Sequence, residues 1–136
     1  MWRDFFSNAV IYGLDILPFT RVMDDLIQDE RVFIYSSTNA YDESFFDNHF
    51  LTKKLSFDVL LDDGPHTLES MQQFIKLYSK VMARDGILIV EDVPSLDWID
   101  LLSDVVPLHL KPYIKTYDLR KNKGRYDDIV FTIDKS

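Results

Sequence analysis

Four short apolar runs constrain the fold of this 136-residue chain more than any other feature of its sequence. Their residues are mostly β-branched, aromatic or leucine, and polar residues or glycine bound each run. Because the runs do not alternate with polar residues, they are typical of strands that are buried on both faces, as in a parallel sheet covered by helices. The four predicted strands are residues 9–12, 32–35, 57–61 and 87–90.

The segments between these runs are long enough for crossover helices. The clearest helix is predicted over 68–83, with Thr67 as its N-cap. Its apolar face consists of Leu68, Met71, Phe74, Ile75, Tyr78, Val81 and Met82. Further helices are predicted from Thr20 to about residue 29, after Tyr41, and over 95–104. Two last strands, at 113–119 and 128–133, are joined by the polar stretch 120–125, which predicts an antiparallel hairpin. We expect one α/β sandwich domain over 1–136.

Charge and composition exclude several classes of partner and site. The chain has 15 basic and 23 acidic residues, a net charge of −8, which argues against nucleic acid or an anionic membrane as the main partner. It contains no cysteine, which excludes disulfides, zinc–thiolate sites and thiol nucleophiles within this sequence and fits a cytoplasmic setting. No apolar run approaches the roughly 18 residues of a membrane-spanning helix.

Acidic residues and one histidine follow the carboxyl ends of the predicted strands, where ligands bind in open α/β sheets. So many neighbouring carboxylates need a counter-charge or raised pKa values, and a bound divalent cation would supply the counter-charge. Oxygen ligands suit Mg²⁺, Mn²⁺ or Ca²⁺. If the third and fourth strands are neighbours, we expect a metal site there with a histidine positioned as general base. The residues at these strand ends are Asp15, Asp62, Asp63, His66, Glu91 and Asp92. Of these, Asp63, Glu91 and Asp92 are the candidate metal ligands and His66 is the candidate base.

The same residues also have ordinary structural interpretations. Acidic side chains at strand ends often cap helices or solubilise a surface, and Asp62 is a candidate cap for the helix at 68–83. His66 is a surface or capping residue in this alternative. Asp15 is either a ribose-binding acid or a turn residue. His49 and His109 have no carboxylate pattern around them, and we expect them to be structural.

Several stretches together resemble class I S-adenosylmethionine (SAM)-dependent methyltransferases. The similarity is greatest to the macrocin/mycinamicin-type sugar O-methyltransferases and the related cephalosporin-hydroxylase-like sequences, and it runs through essentially the whole chain. Its most specific part is the Asp-Asp-Gly-x-His block that starts at Asp62, followed by Glu91-Asp92. That block lies in the matching stretch 57–69, and the other matching stretches are residues 9–18, 86–93 and 118–129.

The resemblance implies a Rossmann-like three-layer sandwich, mostly parallel, with a C-terminal antiparallel hairpin. It implies that SAM is bound by Asp15 at the ribose, by the segment containing Ser37 and Asn39 near the adenine, and by Asp62. It further implies Mg²⁺ or a similar cation on Asp63, Glu91 and Asp92. His66 would remove a proton from the hydroxyl of a small-molecule acceptor. Pro65 stands where the family usually has serine, and Ser36 to Asn39 replace an acid or glutamine that the family uses.

One part of the family pattern is missing from this sequence. Family members begin with a strand and a glycine-rich loop that contacts the cofactor, but the four glycines here, at 13, 64, 86 and 124, form no such loop. Since that first strand is central in the family's sheet, we expect a homo-oligomer, a partner chain that completes the sheet, or a sheet whose remaining strands close together and pair again. Three functions stay open: a metal-assisted SAM-dependent O-methyltransferase, an inactive binding or structural derivative, and an enzyme of other metal-dependent chemistry.

Overall fold

A computed structural model describes residues 2–136, with the side chain of Lys123 excepted. The chain divides into two compact units, residues 1–45 and 46–136, and each is described by itself. The single domain expected over 1–136 stays a prediction. None of the helices in the described part of the chain is long and apolar enough to cross a membrane.

The N-terminal unit contains a two-stranded parallel sheet. Strand β1 pairs with β2 in regular register from Ile11 opposite Val32 to Leu14 opposite Tyr35. The guanidinium group of Arg31 donates to the backbone carbonyl of Ser7 at 2.7 Å and ties the segment before β1 to the start of β2. The elements are α1 (Trp2–Phe5), β1 (Ile11–Leu14), α2 (Asp24–Ile27), β2 (Val32–Tyr35) and α3 (Glu43–Phe46), the last of which ends at the first residue of the next unit.

The C-terminal unit contains a four-stranded sheet in the order β3-β4-β6-β5. Strands β3 and β4 are parallel, whereas β6 runs antiparallel to both β4 and β5. The predicted parallel pair and the predicted C-terminal hairpin are therefore both present. The elements are β3 (Phe57–Asp62), α4 (Leu68–Tyr78), β4 (Met82–Val90), α5 (Trp98–Asp104), β5 (Ile114–Asp118), α6 (Arg120–Lys123) and β6 (Ile129–Asp134).

Helix α4 supplies much of the core of the C-terminal unit. Met71 and Ile75 are almost completely buried, as the apolar periodicity predicted. Tyr78 packs against Phe74 and Phe46, with ring centroids 4.8 Å and 5.0 Å apart. Burial and the nearby charge of Asp62 raise the pKa of Tyr78, so its hydroxyl stays protonated near neutral pH.

The helix predicted over 68–83 is shorter than expected. It ends at Tyr78, a single 3₁₀ turn follows at Ser79–Val81, and β4 already begins at Met82. The register of β3 on β4 is irregular between Phe57 and Val59, and a Cβ on Gly86 would lie 3.0 Å from the carbonyl oxygen of Phe57. Because Met82 already pairs with Phe57 of β3, β4 begins earlier in the chain than predicted. The spacing of apolar residues does not reveal this pairing.

Other predicted boundaries also move. The predicted helix from Thr20 to about residue 29 is instead a 3₁₀ turn at Phe19–Arg21 followed by α2, because Val22 and Met23 are extended with ψ values of 137° and 136°. The helix expected at 95–104 starts at Trp98, and β1 runs from Ile11 to Leu14 rather than over 9–12. Helix α3 continues as a π-helix over Asp47–Leu51.

We predict that Thr67→Ala lowers the free energy of unfolding by about 1 kcal/mol. Thr67 begins α4 in a capping box, because its hydroxyl accepts from the backbone N–H of Ser70 and the Ser70 hydroxyl accepts in turn from the Thr67 N–H. Thr67→Ser keeps the hydroxyl and is the matched control. Urea denaturation measures both; an equal loss in the two variants would contradict the capping role.

Candidate functional site

The candidate site lies in the C-terminal unit, where the parallel strands β3 and β4 end side by side. Asp62 lies opposite Val90 in register, so the residues that follow each strand leave the sheet at the same edge. The backbone N–H of Glu91 donates to the carbonyl of Asp62 at 3.0 Å, and this hydrogen bond joins the segments that follow β3 and β4. The condition set for a metal site, that the third and fourth predicted strands are neighbours, is therefore met.

Three side chains converge at this edge: Asp63, His66 and Asp92. One potential ligand atom from each lies within 4.8 Å of the other two. His66 Nε2 is 3.2 Å from Asp63 Oδ1, and the exposed fractions of these side chains are 33% and 63%. Two carboxylates and an imidazole in reach of solvent form a set that can hold a divalent cation. Among the described residues Glu91 is not part of this group, although it directly precedes Asp92.

The backbone of two of these residues is in the left-handed region. His66 has a φ of 52° and Asp92 a φ of 51°, conformations that L-residues other than glycine adopt at a cost. Their surroundings hold them there: the Thr67 capping box follows His66, and beyond Asp92 the N–H of Val93 donates to the carbonyl of Ile129 at 2.9 Å. Strain of this kind is concentrated at functional sites in proteins.

The structure places Asp62 and Glu91 beside this group in different environments. Asp62 is buried, with 7% of its surface exposed, and its charge is near Tyr78. Thr67, and not Asp62, is the N-cap of α4, so the capping alternative for Asp62 is wrong. Its predicted contact with a cofactor stays a prediction, as does metal ligation by Glu91.

The remaining predicted cofactor residues lie in the N-terminal unit, after β1 and β2. Asp15 Oδ1 accepts from the N–H of Leu17 at 2.8 Å, so Asp15 does form a turn. The N–H of Ser37 donates to the carbonyl of Leu17 at 2.9 Å, and Ser37 has a left-handed φ of 52°. Asn39 Oδ1 accepts from the N–H of Tyr41 at 3.0 Å. These contacts fix the two loops as one hydrogen-bonded group.

Sequence reasoning placed Ser36 in the segment near the adenine but did not single it out as a site residue. The Ser36 hydroxyl is buried and has no hydrogen-bond partner among the residues that the structure describes. A buried polar atom without a partner costs free energy and is a feature of sites that take a ligand or water. Nothing in the run Ser36 to Asn39 distinguished this serine from its neighbour, because burial at the end of β2 is a tertiary property.

Comparison with known proteins gives two curated relatives, while no protein-family profile matches the chain. The mycinamicin VI 2''-O-methyltransferase of Micromonospora griseorubida is 29% identical over 99 residues, 72% of this chain and 23% of the relative. The 8-demethyl-8-(2-methoxy-alpha-L-rhamnosyl)-tetracenomycin-C 3'-O-methyltransferase of Streptomyces olivaceus is 24% identical over 93 residues, 68% of this chain and 22% of the relative. The chain thus spans less than a quarter of either relative.

Solved structures agree with the curated relatives. MycE methyltransferase from the mycinamycin biosynthetic pathway, crystallised with Mg and SAH, superposes with a TM-score of 0.64 at 19% identity over 98% of this chain and 38% of that one. The chain is O-methyltransferase-like. A MycE complex with Mg, SAH and mycinamycin VI gives a TM-score of 0.55 at 12% identity, over 98% of this chain and 47% of that one. The Rossmann-like fold and the resemblance to sugar O-methyltransferases are confirmed for this methyltransferase-like chain.

We predict that His66→Gly and Asp92→Gly do not destabilise the metal-free protein and raise its free energy of unfolding by up to about 1 kcal/mol, because glycine adopts a positive φ without strain. The control is Asp100→Gly in α5, where lost helix propensity should cost up to about 1 kcal/mol. Guanidinium denaturation in EDTA measures all three. Losses at positions 66 and 92 as large as at 100 would show that these backbones are unstrained.

Proposed function

We propose that this chain binds a divalent cation at Asp63, Glu91 and Asp92 and takes part in SAM-dependent O-methyl transfer to a small hydroxylated molecule. The observation that carries the proposal is the convergence of Asp63, His66 and Asp92 within 4.8 Å on strained backbone at the end of two parallel strands. A dicarboxylate cluster alone is common on protein surfaces. Its combination with a histidine and two left-handed residues supports a functional origin.

The chemistry of the donor set fits the cation that the proposal requires. Asp63 and Asp92 offer carboxylate oxygens, which Mg²⁺ and Mn²⁺ accept, and Asp63 is exposed enough to leave room for water or substrate ligands. Glu91 is half-buried, follows β4 directly and adjoins Asp92 in sequence. When bound, the cation would polarise and acidify an acceptor hydroxyl.

We assign His66 the part of general base. A neutral imidazole can take a proton from a hydroxyl near neutral pH. Asp63 Oδ1, at 3.2 Å from His66 Nε2, is placed to accept a hydrogen bond from the imidazolium that results and so to favour the transfer. The left-handed backbone of His66 and the capping box after it hold the ring at this edge of the sheet.

We assign SAM binding in the N-terminal unit to the predicted residues Asp15, Ser37 and Asn39, and we keep the predicted contact of Asp62 as a separate proposal for the C-terminal unit. In Asp15 the Oδ1 atom is used by the turn, which leaves Oδ2 as an acceptor for two neighbouring hydroxyl groups such as those of a ribose. The buried Ser36 hydroxyl beside Ser37, without a partner among the described residues, is suited to a polar ligand at the end of β2. SAH in the MycE structures supports the class of cofactor.

We predict that Asp63→Asn and Asp92→Asn each weaken Mg²⁺ binding at least about tenfold, because each removes one charged ligand while keeping the shape of the side chain. The control is Asp100→Asn, an exposed carboxylate on α5 outside the cluster, which should bind Mg²⁺ as the unchanged protein does. Isothermal titration calorimetry with MgCl₂ measures the affinities. Equal affinity in all four proteins would overturn the metal assignment.

A further variant, His66→Ala, tests the reaction. Methyl transfer from radiolabelled SAM to hydroxylated acceptors should require Mg²⁺ and fall at least about 100-fold in His66→Ala, the usual contribution of a general base. The Mg²⁺ affinity of His66→Ala shows whether this histidine is a base or a metal ligand. If His66 is a base, the variant binds Mg²⁺ nearly as tightly as the parent protein. If it is a ligand, the variant binds Mg²⁺ more weakly. Transfer at the original rate in His66→Ala would contradict the assignment.

We further propose that β3 pairs with a strand of a second copy or a partner chain. The four-stranded sheet ends on one side with β3, which is apolar from Val59 to Leu61, and on the other with β5. The β5 edge carries charge, and Lys115 pairs with Asp134 at 2.6 Å. Charged edges resist further pairing, and an apolar edge strand such as β3 invites it.

We predict that the purified protein is larger than a monomer and that Val59→Lys shifts it towards the monomer, because a lysine on an edge strand disfavours pairing. Val59 is 38% exposed, so the substitution does not disrupt the core. Thr116→Lys on the exposed β5 edge is the matched control and should change nothing. Size-exclusion chromatography with light scattering measures the mass, and a soluble monomeric parent protein would overturn the proposal.

A further inference from the structure

The most basic stretch of the sequence lies in the connection between β5 and β6. Residues 120–125 hold four of the 15 basic residues in a chain whose net charge is −8. The proposed metal and SAM residues include none of them. A local concentration of positive charge on an acidic protein is where an anion can bind without general repulsion.

The register of the sheet places this connection at the same edge as the candidate metal site. Asp118 pairs with Ile129 at the end of the hairpin, and Val90 pairs with Phe131 where β4 ends. The N–H of Val93, next to Asp92, donates to the carbonyl of Ile129 at 2.9 Å. Neighbouring strands are about 4.8 Å apart, β6 lies between β4 and β5, and the two strand ends are staggered by two residues along β6. The end of β5 is therefore about 12 Å from the end of β4.

The loop 119–128 is a closed, hydrogen-bonded structure. The N–H of Leu119 donates to the carbonyl of Asp128 at 2.8 Å, and that of Arg125 donates to Asp128 Oδ2 at 3.0 Å. Asp128 is only 4% exposed, so its carboxylate is a fixed anchor. Gly124, with φ of 86°, ends α6 and turns the chain back. The side chains on this loop are therefore held on a defined frame.

The charges on this frame divide into a paired and an unpaired set. Arg120 makes two hydrogen bonds to Asp118, at 2.8 and 2.7 Å, and this guanidinium lowers the pKa of Asp118 to about 2. Lys121 and Arg125 are exposed, and their side chains have no hydrogen bond or ion pair within the part of the chain that the structure describes, although the charge of Lys121 also helps to lower the pKa of Asp118. These two cations are available to a ligand.

We propose that Lys121 and Arg125 bind an anionic group, a phosphate or a carboxylate, on the acceptor whose hydroxyl is directed to Asp63, His66 and Asp92. The destination of the hydroxyl rests on the proposed function. A separation of about 12 Å between the two strand ends suits an acceptor that carries its charge away from the reacting hydroxyl, as in a sugar phosphate or a sugar acid. The guanidinium fork of Arg125 suits both kinds of anion.

The test measures binding of glucose 1-phosphate, glucuronate and glucose by calorimetry in EDTA, without SAM. We expect the two charged sugars to bind and glucose not to bind. Lys121→Ala/Arg125→Ala should weaken binding of the charged sugars at least about tenfold, as expected for the loss of charged hydrogen-bond donors. The two charged probes also show whether phosphate or carboxylate is preferred.

The matched control is Lys53→Ala/Lys111→Ala. It removes the same two charges from exposed positions before β3 and before β5, at the opposite end of the sheet strands. The control should bind charged sugars as the parent protein does. Failure of both charged probes to bind, or equal losses in the loop and control variants, would overturn the proposal.

The result is independent of the metal chemistry. Because binding is measured in EDTA, no divalent cation takes part in it. Charged-sugar binding that depends on Lys121 and Arg125 without any methyl transfer would leave the anion site standing and defeat the proposed function. Methyl transfer to acceptors without any binding of charged sugars would support the proposed function and overturn the anion site.

Discussion

The parallel pairing of β3 with β4 is the interaction on which the rest of the C-terminal unit depends. It brings the segments that follow β3 and β4 to one edge of the sheet. Asp63 and Asp92 therefore become neighbours although they lie far apart in sequence. Helix α4 covers the pair with an apolar face, and β6 extends the sheet from β4. Without this pairing the carboxylates would be isolated surface charges with no common ligand.

Holding two carboxylates and a histidine together opposes the ordinary preferences of the chain. Like charges repel, and left-handed backbone at His66 and Asp92 adds conformational strain. The core, the capping box and the hydrogen bonds of the adjoining loops offset this cost. A bound cation would offset part of this free-energy cost by neutralising the carboxylates. We therefore expect cation binding to stabilise the folded protein.

The sequence predicted the fold and the site to different extents. Continuous apolar runs located β2 and β3 closely, but the predicted burial on both faces is wrong for these strands, since β2 has no buried residue and Val59 on β3 is 38% exposed. The end of α4 could not be found, because Val81 and Met82 continue the helical spacing while pairing with β3 draws Met82 into β4. The neighbours of the site followed from strand order, but the left-handed His66 and the buried Ser36 hydroxyl depend on tertiary packing.

The irregular pairing of β3 with β4 is confined to one end of the strands. From Val59 opposite Ile87 to Asp62 opposite Val90 the register is regular, and the slip lies between Phe57 and Val59, away from the site. Insertions or deletions before Gly86 can therefore be absorbed where the strands begin, and the geometry where they end is preserved. Evolution of this protein can alter the length of the α4–β4 connection without moving Asp63 relative to Asp92.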